Sequence, residues 1–143
     1  MTLPIDTSSI DYKFNKTLNE DVKLKSDEYG KWDLDMHNGD YINTTGLPTL
    51  HNACIIAILT RFGEIQNPTY NGFGCHAHEL IKDNKTKLLL FKLETDITEV
   101  LNKMRRIHQV NWVKIIEDDV YSYLVKFSVT SINDEIVEGS VTL

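Results

Sequence analysis

Residues 121–130 read Tyr-Ser-Tyr-Leu-Val-Lys-Phe-Ser-Val-Thr, and this stretch decides the fold. Large apolar side chains take every odd position from Tyr121 to Val129, and mostly polar ones lie between them. Because successive side chains of a strand point to opposite faces, the alternation predicts a strand with one buried face. Turns are expected at Glu117-Asp118-Asp119 and at Asn133-Asp134. With flanking strands at Val110–Ile116 and Ile136–Val141, the pattern predicts a three-stranded C-terminal meander.

Upstream of this stretch, the sequence predicts a first helix from about Leu47 to Phe62. Pro48 suits the first turn, and Gly63 stands where helices often end. The interior is apolar nearly all round, so we expect burial on more than one side. In a domain this small, a second subunit is one source of the extra cover.

A second helix is expected from Asp96 to His108, because Asp96 and Glu99 form a capping pair and the apolar residues that follow keep helical spacing. The apolar run Leu88–Phe91 before it fits either a short strand or a packed connector. Cationic residues near the end of the helix suit its dipole.

The N-terminal part predicts a hairpin. Trp32, Leu34 and Met36 share one parity, which is typical of a half-buried strand, and Asn38-Gly39 is a strong turn signal before a return strand at Asp40–Ile42. The fold class is therefore α+β, with two main helices packed on a mainly antiparallel sheet, an N-terminal hairpin and a C-terminal three-stranded meander. Residues 1–19 lack a period and are expected to form an extended N-terminal arm, while residues 20–143 form a single domain.

Composition narrows the classes of function. The formal net charge is −6, which argues against nucleic acid as the main partner, because phosphate binding needs clustered Lys and Arg. No apolar run approaches the roughly 20 residues of a membrane span. The first ten residues do not read as a secretory signal, and two cysteines are few for a disulfide-stapled domain, so a reducing compartment is expected for folding.

The order of motifs in the middle of the chain carries a resemblance. Asn38-Gly39-Asp40-Tyr41 leads to Thr45-Gly46-Leu47, then to the apolar helix, then to Leu59-Thr60-Arg61-Phe62-Gly63-Glu64, and a loop from Pro68 ends in Gly72-Phe73-Gly74. This order resembles the phage contractile-tail baseplate wedge family, which includes the type VI secretion baseplate subunit and the tail proteins of phage-like particles. The resemblance covers about Val22 to Val141 and indicates a diverged member.

The resemblance implies a wedge-like domain in a virion, made in the host cytoplasm and assembled into the tail baseplate. Its implied partners are other wedge proteins, the tail sheath and, as further candidates, tube or hub proteins. Members present a strand-bearing edge to the first sheath ring. Many carry Glu-Pro-Arg before the first C-terminal strand for docking on the wedge core. Gln109-Val110-Asn111-Trp112 stands there in this chain, so that docking role is not transferred.

The resemblance implies no cofactor and no enzymatic activity. Two other classes stay open, a small adaptor that binds one soluble partner and a lysozyme-like hydrolase. The hydrolase would need two carboxylates flanking a cleft, for which Asp33, Asp35 and Glu64 are candidates. Their simpler interpretation is a solvated strand face and a helix end.

Two further sets of residues are candidates, one for metal binding and one for a protein interface. Cys75, His76 and His78 are of the types that bind zinc, but their spacing fits no standard ligand pair, so packing or surface roles are favoured. Cys54, on the apolar helix, is expected to be a small core residue. The residues predicted to lie at an interface are Arg61, Glu64, Arg105, Arg106 and Trp112. For the arginines, charge at the end of a helix is the simpler interpretation. For Trp112 a core position is the favoured alternative.

Overall fold

The computed structural model describes residues 20–29, 31–66, 72–82, 86–119 and 122–143. The predicted arm at residues 1–19 lies outside them, as does Tyr121 of the alternating stretch. The strands are β1 (Glu20–Val22), β2 (Leu24–Ser26), β3 (Trp32–Leu34), β4 (Met36–His37), β5 (Asp40–Tyr41), β6 (Asn43–Thr45), β7 (Ile107–Asp119), β8 (Ser122–Ser131) and β9 (Ile136–Thr142). The helices are α1 (Leu47–Leu59), α2 (Ala77–Leu80) and α3 (Lys87–Asn102).

The C-terminal meander is confirmed as an antiparallel sheet in the order β7-β8-β9. Tyr123, Val125, Phe127 and Val129 of β8 are all buried, as the alternation predicts. The strand β7 is longer than expected at both ends. Its pairing with β8 continues through Glu117–Tyr123 to the end of the strand, so the turn predicted at residues 117–119 is wrong.

The helix α1 starts where Pro48 predicts and ends at Leu59, three residues early, because the chain turns there to form a bridge between Arg61 and Cys75. Its burial on several sides is confirmed, and strands of this chain cover it. The Asn52 amide donates to the carbonyl oxygen of Val22 at 2.8 Å, which holds β1 against the helix. The sheet covers another side of the helix, through contacts with β9.

The second long helix was predicted too late in the chain at both ends. It stops at Asn102 and not at His108, because the chain turns after it and enters β7 at Ile107. It begins at Lys87, and the hydroxyl of Thr86 caps it by accepting a hydrogen bond from the Leu89 N–H at 3.1 Å. The apolar run Leu88–Phe91 is therefore the first turn of α3, and neither a strand nor a connector. Leu89 and Leu93 extend the buried stripe of Ile97 and Leu101 by two turns, which is the packing that fixes the helix in this place.

The predicted N-terminal hairpin forms around Asn38 and Gly39, which both have positive φ, 51° and 82°. The prediction that Trp32, Leu34 and Met36 form a buried face is wrong for two of them. Leu34 and Met36 are exposed, and only Trp32 packs on the core. The strand is interrupted at Asp35. The Asp35 N–H donates to the carbonyl oxygen of Lys23, and its carboxylate lies 3.5 Å from the Lys23 ammonium group.

The core lies between the helices and the inner face of the meander. Leu50, Ile55 and Ile58 of α1 pack with Ile97 and Leu101 of α3 against the buried residues of β8 and β9. Helices therefore cover one face of the meander, while the opposite face carries the exposed side chains of its strands. The observed class is α+β, as predicted.

Candidate functional site: the outer face of the meander

We call the side of the meander that faces away from the helices the outer face. Cross-strand register groups its side chains into rows: Ile116 with Leu124 and Thr142, Lys114 with Lys126 and Ser140, and Trp112 with Ser128 and Glu138. Trp112 and Ile116 are 36% and 45% exposed, and both lysines are exposed. An exposed tryptophan and an exposed isoleucine on one face of a strand are typical of a protein interface.

Trp112 thus belongs to the surface, and the alternative of a core position is wrong. The reason is strand parity, because Val113 takes the inward position and is 4% exposed. A register shift between Val110 and Trp112 marks a β-bulge that makes room for Asn111. The Asn111 amide donates to the Ser128 hydroxyl at 3.2 Å and its carbonyl oxygen accepts from Thr130 at 3.1 Å.

The four residues that stand before the expected first C-terminal strand therefore lie inside a strand. Gln109 to Trp112 belong to β7, which begins two residues earlier at Ile107. Backbone pairing and a bulge occupy this segment, so a separate docking segment ahead of the strand is absent from this part of the described chain.

Lysines make the centre of the outer face positive. Lys114 and Lys126 are directly opposite each other on neighbouring strands, and the Lys114 ammonium group lies 5.0 Å from the centroid of the Trp112 ring. That distance allows a cation–π contact. Neither lysine forms an ion pair with any residue that the structure describes.

The predicted interface arginines separate into different surroundings. Arg105 is exposed in the turn that leads from α3 into β7. Arg106 is half-buried, its carbonyl oxygen accepts from the Ile132 N–H at 3.1 Å, and its charge acts on Cys54 in the core. Arg105 therefore remains a surface candidate near the start of β7, while Arg106 contributes to the structure of the sheet end.

Arg61 and Glu64 come together in a turn after α1. The Arg61 N–H donates to the Glu64 carboxylate at 3.1 Å, and the Glu64 N–H donates to the Arg61 carbonyl oxygen. Both line an open pocket of about 360 Å³. Gly74 has φ +103° and an added Cβ would lie 2.7 Å from the Arg61 carbonyl oxygen, so only glycine lets the two segments approach this closely.

Cys75, His76 and His78 do not converge as metal ligands. The Cys75 thiol donates to the Ile58 carbonyl oxygen at 3.0 Å, and the His76 ring lies against Phe62 with centroids 4.2 Å apart. Within the described ranges no three His, Cys, Asp or Glu side chains are grouped as a metal site. Burial raises the pKa of Cys75 to about 11 and that of Cys54 to about 12, so both thiols are packed residues.

The candidate carboxylates of a hydrolase are engaged in local contacts. Asp33 accepts from the Leu34 N–H at 2.7 Å, Asp35 pairs with Lys23, and Glu64 caps the turn at Arg61. Each contact lies within its own hairpin or turn. These contacts account for the three carboxylates as local structural groups.

Sequence reasoning missed Lys114 and Ile116 as surface residues. The signal was present, because both share the parity of Trp112 and are out of phase with Val113 and Ile115. The sequence does not show which of the two sets of alternate residues faces solvent, because the bulge at Asn111 sets this.

Comparison of the sequence with protein-family models and with curated proteins gives no match. Among the described helices, none combines the length and the apolar character needed to cross a membrane.

Proposed function

We propose that this chain is a structural subunit of the baseplate of a contractile phage or phage-like tail. In that role it is an inner wedge subunit that links wedge proteins to the first sheath ring. It acts by binding its neighbours, without turnover and without a cofactor. Its place is the virion, after synthesis in the host cytoplasm.

The observation that carries the proposal is the open edge of β7. This strand has 13 residues, and among the residues described it pairs with β8 alone. An edge strand presents unpaired N–H and C=O groups, which an extended segment of another protein can satisfy by strand addition. The family that the sequence resembles uses a strand-bearing edge toward the sheath, and β7 provides such an edge.

The exposed side chains beside that edge support binding as the mode of action. Trp112 and Ile116 lie on β7 itself, so an added strand covers part of both. Tryptophan is among the residues that contribute most to interface affinity. Arg105, just ahead of the strand, extends the same region.

The direct test is co-expression of this chain with the sheath, tube and wedge proteins of a contractile tail from the same genome. We expect the chain to co-purify with at least one wedge protein and with the sheath protein, and to be present in the baseplate of purified particles. Particles whose baseplate contains no copy of the chain contradict the proposal. Co-purification with one soluble protein unrelated to tails points instead to the adaptor alternative.

Hydrogen exchange adds a residue-level readout. In a strand, alternate N–H groups point to opposite edges, so about half of the β7 amides face the open side. We expect these amides to exchange fast in the isolated chain and to become protected in the complex. The β7 amides bonded to β8 serve as the internal control, because they are protected in both states.

A further inference from the structure

We infer that the segment added beside β7 carries a carboxylate that lies next to Lys114, in the same cross-strand row as Lys126, with an apolar side chain on either side of it. This inference rests on the proposed function, because it names the chemistry of the partner at the same sheet edge. The partner segment is extended and follows the pattern apolar, any, acidic, any, apolar along five residues. Its two intervening side chains point to the opposite face of the sheet, and their identity is not restricted.

The acidic position follows from the lysine pair. Lys114 and Lys126 are directly opposite each other, and like charges in that relation destabilise an antiparallel pair. The acidic residue of the outer face closest in register is Glu138, but it faces Ser128 in the next row and forms no ion pair with either lysine. A carboxylate supplied at the β7 edge relieves the repulsion, and none of the residues that the structure describes supplies one there.

The apolar positions follow from the rows on either side. Ile116, which is opposite Leu124, lies on one side of the lysine row, and Trp112 lies on the other. Side chains of the same strand face alternate at a period of two residues, so neighbours of Ile116, Lys114 and Trp112 are at positions one, three and five of the added strand. Covering the exposed parts of Ile116 and Trp112 removes apolar surface from water.

The lysine pair between two apolar rows also explains how the β7 edge would select its partner segment. The whole chain has a formal charge of −6, so acidic partners are repelled at long range and attracted only where cations are concentrated. A lysine pair between two apolar rows favours one register of an acidic segment, because a slip by two residues places the carboxylate beside Ile116 or Trp112. Electrostatic complementarity of this kind fixes partner choice and register.

A peptide titration tests the inference without any baseplate protein. The probe is the capped peptide Ser-Thr-Val-Thr-Glu-Thr-Val-Thr-Ser, and its matched control has Lys in place of Glu. Followed by NMR, the acidic peptide is expected to shift amide signals of β7 and to bind roughly fivefold or more tightly than the control, as expected for exposed charge pairs. Equal binding of the two peptides, shifts confined to other elements, or no binding of the acidic peptide overturns the inference.

Charge variants test it in the assembled complex. The single change Lys126→Glu places opposite charges across β7 and β8, so it is expected to stabilise the isolated chain while weakening its binding to the sheath or wedge partner. The double change Lys114→Glu with Lys126→Glu is expected to weaken binding further, by roughly tenfold or more. The matched control is Lys87→Glu with Lys92→Glu, which makes the same change in net charge on exposed positions of α3.

The outcomes separate the two proposals. One outcome is that the partner protein binds the Lys114→Glu, Lys126→Glu variant as tightly as the Lys87→Glu, Lys92→Glu control. In that case the inference of an acidic partner segment is wrong and the baseplate proposal stands. If the unaltered chain binds no sheath or wedge protein, the baseplate proposal fails, and the peptide titration alone decides which chemistry the β7 edge accepts.

Discussion

The carboxylate of Asp96, in the middle of α3, accepts a hydrogen bond from the backbone N–H of His76 at 2.8 Å, so one helix caps the start of another. His76 directly precedes α2 and its own side chain provides no cap. Burial raises the pKa of Asp96, and the bond from His76 partly offsets that effect. Asp96 thus stabilises the contact between α2 and α3 rather than the start of its own helix.

Replacing Asp96 with Ala leaves the His76 N–H without this acceptor. We expect Asp96→Ala to lower the free energy of unfolding by about 1 kcal/mol, the usual effect of losing a cap. Asp96→Asn keeps an oxygen acceptor of the same reach and should cost less. Urea unfolding at neutral pH measures both, and equal losses for Ala and Asn would show that the hydrogen bond contributes little.

Gly139 in β9 leaves space for His51 of α1. A Cβ at this position would lie 2.6 Å from His51 Nε2 and 2.7 Å from Phe127 Cζ, both in the packed interior. We expect Gly139→Ala to destabilise the fold by about 1–3 kcal/mol, as overpacking does. Ser140→Ala, on the next residue and exposed, is the matched control. Thermal unfolding of the pair gives the answer, and equal midpoints contradict the packing argument.

His51 makes the fold sensitive to mild acid. Its ring is stacked near Phe127 and lies 5.3 Å from the ring centroid of Trp32, and burial lowers its pKa from 6.5. A lowered pKa means that the unfolded chain binds this proton more readily than the folded chain. The stability from neutral His51 is therefore complete above about pH 6.5 and is lost as the pH falls from there through the folded-state pKa.

We accordingly expect the unfolding free energy of the unaltered chain to fall as the pH drops below about 6.5, and His51→Gln to flatten that slope. His37→Gln, on an exposed hairpin strand, is the control and should keep the slope. Denaturant unfolding at several pH values makes the comparison. A slope in the His51 variant as steep as in the unaltered chain assigns the acid sensitivity to other groups.

The two cysteines should be unreactive in the folded protein. With pKa values of about 12 for Cys54 and about 11 for Cys75, roughly 0.1% or less of either thiol is thiolate at pH 8. Both side chains are also buried. We expect a thiol reagent to label neither cysteine in the native state and both in guanidinium chloride. Native labelling of Cys75 at the denatured rate would mean that its segment opens readily.

Much of the fold could be predicted because its periodicities are long. The strand β8 alternates over ten residues, and the buried stripe of α3 recurs at helical spacing from Ile97 onward, so element type was recoverable for both. The start of α3 could not be placed by the same means, since Asp96 satisfies a capping pattern that the folded chain uses between helices. The Thr86 cap is a shorter signal, with Leu in place of the Glu or Gln of a capping box.

The candidate site was predicted only in part for the same reason. Trp112 and Arg105 were expected at an interface by residue type, but the lysines were not, because opposition of Lys114 and Lys126 depends on register between two strands. The register in turn depends on the bulges in β7, and no single residue of the sequence predicts them.

By itself, the sequence determined the α+β class, the meander, the apolar character of α1 and the turn at Asn38-Gly39. Each of these depends on local periodicity or on backbone conformations open to few residue types. The tertiary structure alone decided which face of β7 is outward, that the N-terminal strands cover part of α1, and that Asp96 caps α2. These depend on contacts between residues far apart in the chain, whose geometry exists only after the core has packed.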